Sequence, residues 1–80
     1  MKQEEALELV KQLKSGREIR IGHYAAGYEQ FKFQPTPPLF IYRREDTAVE
    51  IYNPSVEEQR FKEQEFIAFL VKNFQYKDIV

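Results

Sequence analysis

Apolar residues follow a helical spacing near both ends of the chain and an alternating one between them. Ala6, Leu9, Val10 and Leu13 fall on one stripe of a helix predicted over Lys2 to Lys14, with Glu, Lys and Gln on its other faces. Glu4, Glu5 and Glu8 lie toward its start and Lys11 and Lys14 toward its end, the order that the helix dipole favours. Ser15-Gly16 ends it, because glycine enters the left-handed region without steric cost.

From Glu18 the period changes to two. The β-rich runs Glu18–Tyr24 and Tyr28–Phe33 flank Ala25-Ala26-Gly27, a three-residue connection whose glycine suits a left-handed bulge position. That turn sets a register in which Ile19 faces Phe33, Ile21 faces Phe31 and His23 faces Glu29 on the core side. Arg20 faces Lys32, Gly22 faces Gln30 and Tyr24 faces Tyr28 on the other side. Gln34-Pro35-Thr36-Pro37-Pro38 reads as a stiff connector, since proline cannot donate to a ladder. Its P-x-x-P spacing is too short a match to assign a Pro-recognition ligand.

A second hairpin is predicted from Leu39–Arg43 and Thr47–Tyr52 around Arg44-Glu45-Asp46, with Val49 and Ile51 inward. A three-residue loop puts Leu39 and Ile41 inward and a two-residue loop puts Phe40 and Tyr42 there; the first is preferred. Asn53-Pro54 breaks the strand. Ser55-Val56-Glu57-Glu58 fits a capping box, so the last helix is expected from Ser55 to about Phe74, with Val56, Phe66, Ile67, Leu70, Val71 and Phe74 on one stripe. Residues 75–80 are expected to be a frayed tail.

These elements make a single small α+β domain over residues 1–80: a helix, a four-stranded antiparallel meander and a C-terminal helix, with both helices on one sheet face. The expected core is Leu9, Val10, Leu13, Ile19, Ile21, Phe31, Phe33, Val49, Ile51, Phe66, Ile67, Leu70 and Phe74.

Composition narrows the chemistry. The chain has 80 residues, no cysteine and one histidine. Disulfides, thiol nucleophiles, zinc fingers, iron–sulfur clusters and multi-histidine metal sites are thereby excluded. The longest apolar run, Phe66 to Val71, is far short of the ~20 residues of a membrane span, and the first residues turn acidic at once, unlike a signal peptide. The expectation is a cytoplasmic protein without a cofactor or membrane. Net charge is −1, yet residues 1–44 carry eight basic and five acidic side chains, whereas the remainder carries four and eight. In so small a domain the two portions fold together, so this asymmetry reads as a mixed solvated surface.

His23 is the one side chain that normally titrates near neutral pH, and the predicted register sets Glu29 across from it. No nucleophile accompanies them: Ser15 and Ser55 sit at helix ends, and Thr36 and Thr47 sit in connectors. The pair is read as a cross-strand polar contact, and a small enzyme using His23 is the remotest alternative. Glu57, Glu58, Glu63 and Glu65 diverge around the predicted helix and read as solvated surface, not as a metal site.

The predicted outward sheet face is the richest candidate. Arg20, Tyr24, Tyr28, Lys32, Phe40, Tyr42 and Tyr52 share it, and rings beside cations are what single-stranded nucleic acid stacks on. The pI of about 5.8 and the lack of an aromatic ribonucleoprotein motif argue against that partner. Phe61 and Phe69 project off the helix stripe, as extra core or as a homodimer contact. The leading expectation is a non-enzymatic interaction module that binds a protein or itself through the open sheet face or the last helix. Nucleic-acid binding is the alternative.

Overall fold

The computed structural model describes residues 1–23, 27–46 and 55–79, excluding the side chains of His23 and Ser55. Six main elements follow the expected order. They are α1 (Gln3–Lys14), β1 (Ile19–His23), β2 (Gly27–Pro35), β3 (Pro38–Asp46), β4 (Ser55–Phe61) and α2 (Glu63–Asn73), followed by a single 3-10 turn over Tyr76–Asp78. The strands form one antiparallel sheet in the order β1-β2-β3-β4.

Helix α1 is built as its sequence dictates. The Lys2 N–H donates to Glu5 Oε1 at 2.8 Å, so a first-turn carboxylate ties down the entry. At the other end the N–H of Gly16 reaches the Leu13 carbonyl and that of Arg17 reaches Gln12, the paired bonds of a Schellman motif, with Gly16 at φ 101°. Ala6, Leu9, Val10 and Leu13 are buried.

α2 runs antiparallel beside α1. Lys14, at the end of α1, pairs with Glu63 at the start of α2, and the Met1 ammonium donates to the carbonyls of Phe74 (2.6 Å) and Val71 (3.3 Å) at its far end. α1 lies against β2, and α2 against β3 and β4. Both helices therefore cover the same sheet face, as expected. Phe31, Phe40 and Phe66 are almost fully enclosed there, with Leu13 and Leu70. The Phe40 and Phe66 rings stack at 4.9 Å, and Phe31 meets Phe66 edge-on at 6.0 Å.

Several expectations need correction. In the first hairpin the register is displaced by two residues: Ile19 faces Phe31, Ile21 faces Glu29, His23 faces Gly27 and Arg20 faces Gln30. An even displacement preserves which face each side chain occupies, so the inward set survives. Gly27 does adopt the left-handed region, at φ 104°, but as the first residue of β2. A Cβ there would meet the Glu45 carbonyl oxygen at 1.8 Å, so only glycine fits.

The proline segment is a tight hairpin turn, not a spacer. Pro35 pairs with Pro38 across a cis Thr36–Pro37 peptide, and β2 and β3 are paired from there to Tyr28 and Glu45. At the last rung of a ladder a missing N–H costs nothing. Arg44, Glu45 and Asp46 consequently lie in β3 and not in a loop. Phe33 faces Phe40 and Phe31 faces Tyr42, so Phe40 and Tyr42 point inward while Leu39 and Ile41 do not. The predicted strand Thr47–Tyr52, with Val49 and Ile51, lies outside the described residues.

Ser55 to Phe61, read from sequence as the start of the last helix, is β4. Opposite charges face each other across its ladder with β3, Glu58 against Arg43 and Glu57 against Arg44, and Phe61 faces Phe40. Helix α2 starts at Glu63 with Lys62 as its N-cap, and Val56 and Val71 are exposed. Residues 75–79 are also no frayed tail, because Tyr76 and Ile79 pack against the core.

Candidate functional site

Of the seven residues expected on the open face, Arg20, Tyr28 and Lys32 are there. Phe40 and Tyr42 are enclosed in the core, at 1% and 5% exposure, and Tyr24 and Tyr52 lie outside the described residues. The Arg20 guanidinium sits 3.9 Å over the Tyr28 ring, whose hydroxyl donates to Glu45 at 2.9 Å. Arg43 pairs with Glu45 at 3.4 Å, and hydrogen bonds with Tyr28 and Glu45 hold its guanidinium further toward the charged form. Arg60 pairs with Glu58 at 3.2 Å. The Tyr28 ring is thus already covered by a cation, and Arg43 and Arg60 each meet a carboxylate two residues away on their own strand. Ile41 is buried in its midst, flanked in register by Lys32 and Arg60, whose aliphatic stems suit that position.

Phe61 and Phe69 pack against each other at the margin of the core. Their rings stack at 4.7 Å, and Phe69 also meets Tyr42 at 5.1 Å. Both are half-buried against the main cluster.

The helix-covered face opens to solvent at its two ends, where the strands outrun the helices. Beneath the proline turn is an apolar cleft of about 590 Å³, lined by Phe33, Pro37, Pro38, Leu39 and Phe40, with Lys14, Lys62 and Glu63 at its mouth. Each element has a defined part in it. The β2–β3 hairpin supplies Phe33 and Phe40, the turn supplies two prolines, and the end of α1 and start of α2 bring the charges. Lys14 and Glu63 neutralise each other. Lys62 is exposed and, among the described residues, has no ion-pair partner.

At the other end, beyond Asn73, two adjoining hollows of about 370 and 420 Å³ share Glu29, Asn73 and Phe74. Here the covered face is polar: Arg44 stands in register between Glu29 and Glu57, next to the Tyr42–Gln59 pair. Glu29 is 7% exposed and accepts the Tyr42 hydroxyl at 2.6 Å. Burial, then the hydrogen bond to Glu29 and the negative charge of that carboxylate, push the Tyr42 hydroxyl well above the ordinary tyrosine range. The Asn73 side chain donates to the Phe69 carbonyl at 2.9 Å. Among the described residues no cluster of His, Cys, Asp and Glu is arranged to hold a metal ion.

Sequence reasoning missed the apolar cleft because it treated the prolines as a connector and placed the helix start seven residues early. One signal was present. Met1-Lys2-Gln3-Glu4-Glu5 and Phe61-Lys62-Glu63-Gln64-Glu65 share an apolar residue, a lysine and a glutamate three positions later, and both open helices. Among the described residues no helix is long and apolar enough to cross a membrane. No protein-family model matches the chain, and neither does any curated protein or solved structure.

Proposed function

We propose that the chain is a small non-enzymatic interaction module that binds a protein partner at the start of its last helix. The observation that carries this reading is the apolar cleft beneath the proline turn. Its lining is ring and aliphatic surface, with Phe33 and Leu39 half-buried and Phe40 enclosed. A partner side chain entering it removes apolar surface from water on both molecules, with a contribution of roughly 25 cal/mol per Å². At the other end of the covered face Tyr42 and Glu29 are bonded to each other, and on the open sheet face Arg43 and Arg60 have carboxylate partners, whereas the cleft presents an apolar lining.

The test is a phage-displayed random peptide library selected on the purified protein. Enriched peptides should bind the wild type and a Val71→Asp variant alike, because Val71 is exposed on the outer side of the helix layer. They should lose binding to Leu39→Asp, which sets a carboxylate in the cleft wall. Enrichment of nothing, or loss of binding in Val71→Asp alone, overturns the proposal.

A further inference from the structure

The two edges of the sheet are not equally protected. We propose that β4 is a self-pairing edge. A second copy of the chain adds its own β4 antiparallel to it, across a two-fold axis at Gln59, and the sheet continues through both molecules.

β4 is the last strand in the sheet order, so among the described residues its outer main-chain groups have no strand beside them. Such an edge is a template for another strand unless something blunts it. The usual devices are missing here. Register with β3 runs unbroken from Phe40 against Phe61 to Asp46 against Ser55, so there is no bulge, and Ser55–Phe61 contains neither proline nor lysine. β1, the other edge, is shorter, contains Gly22 and has its Arg20 laid over Tyr28.

What β4 carries is charge of both signs, and the order of those charges selects the occupant. Val56, Glu58 and Arg60 alternate on the open face, and all three are exposed. In a sheet continued through a two-fold axis, facing residues lie on the same face, so the axis falls on a residue. The three registers of longest overlap place it at Glu57, Glu58 or Gln59. An axis at Glu57 or Glu58 sets that carboxylate against its own copy, and like charges directly opposed are unfavourable. An axis at Gln59 sets Glu58 across from the partner's Arg60 and Arg60 across from the partner's Glu58. Within one strand Arg60 already meets Glu58 at 3.2 Å, so the four side chains close into an alternating ring of charge. On the covered face Gln59 donates to Glu57 of its own strand, and its second amide proton and its oxygen remain for the partner's Gln59. Glu57 falls across from the partner's Phe61, which adds no like charge. None of these side chains lines the apolar cleft, so the pairing stands apart from the function proposed above.

The experiment is sedimentation equilibrium of the full chain up to about millimolar concentration. Wild type should pass from monomer to dimer and stop there. Arg60→Glu, and separately Glu58→Arg, should weaken the dimer about tenfold or more, because both pairs across the axis become like charges. An equimolar mixture of the two variants should recover the wild-type affinity, since their heterodimer again sets opposite charges across the axis. Glu58→Arg also faces Arg43 within its own sheet, whereas Arg60→Glu faces Ile41. If Glu58→Arg does not fold, Arg60→Glu and amide exchange decide: the β4 amides that β3 leaves free should gain protection as wild type is concentrated, and should not in Arg60→Glu. A wild type that stays monomeric, a dimer indifferent to Arg60→Glu, or a mixture of folded variants that fails to associate overturns the proposal. So does assembly beyond the dimer, which pairing of β4 with β1 of the next copy would give.

Discussion

The two ends of the helix-covered face differ by a few residues of register and behave as different media. At the turn end the cross-strand pair is Phe33 with Phe40; at the other it is Glu29 with Arg44, extended to Glu57. Both pairs occupy the same face of the same strands. The difference lies in what each side chain demands once water is withdrawn. Rings at the turn end need only neighbours, and Phe40 has them in Phe33 at 4.9 Å and Phe66 at 4.9 Å. A carboxylate at 7% exposure needs a donor, and the Tyr42 hydroxyl supplies one. The turn end can therefore leave apolar surface open to a partner. The polar end is occupied with its own satisfaction.

That contrast predicts an order of mutational cost. Phe40→Ala should have the largest effect, about 3–5 kcal/mol of stability, since it removes a ring from a closed stack. Against a total of roughly 5–15 kcal/mol for a small domain, such a loss populates the unfolded state substantially at room temperature. Urea denaturation followed by circular dichroism measures it. A loss smaller than that of the polar-end variant below would break the contrast.

Tyr42→Phe comes next, at about 1–3 kcal/mol, because it keeps the packing and leaves the buried Glu29 carboxylate without its hydroxyl donor. Its pH signature separates it from a packing defect. The Tyr42 hydroxyl is held above its ordinary value in the folded protein, mainly by burial. The unfolded chain therefore releases this proton first as pH rises. Stability from this group is complete below about pH 10 and declines above it, toward the higher folded value. The variant should lack that component, so the stability gap between wild type and Tyr42→Phe should narrow in alkaline solution. A gap that stays constant from pH 7 to 11 would mean that the hydroxyl is not buried against Glu29.

The sequence reveals these two ends unequally. Helix α1 is legible in full, because its stripe, its acidic start and its Gly16 stop are all local. The faces of β1 and β2 are legible because parity tolerates a displacement of two, although the pairing of particular residues does not. The start of α2 is misleading. Ser55 and Glu58 satisfy the local capping pattern, and what overrides it is non-local: Glu57 and Glu58 opposite Arg44 and Arg43, and Phe61 opposite Phe40. Lys62 is hard to read as a cap because lysine offers no acceptor. Phe40 and Tyr42 could be placed only by knowing that the prolines turn the chain back on itself. The cleft follows from that turn and from the helix start together, so neither segment announces it alone.

The smallest expected effect sharpens the contrast from the charged side. Lys14 and Glu63 join the helix ends over the turn-end cleft, yet their side chains are 48% and 38% exposed. Solvent screens such a pair, and a double-mutant cycle of Lys14→Ala and Glu63→Ala should give a coupling of only about 0.2–1 kcal/mol that weakens as salt is added. The carboxylates of Glu63 and Glu29 thus make different contacts with opposite consequences. One is wet and dispensable to folding, and the other is enclosed and costly to abandon. A coupling between Lys14 and Glu63 larger than the Tyr42→Phe loss would mean that the turn end is held by its charges. Those charges would then be committed to the fold, and the rim of the apolar cleft would be part of what holds the two helices together.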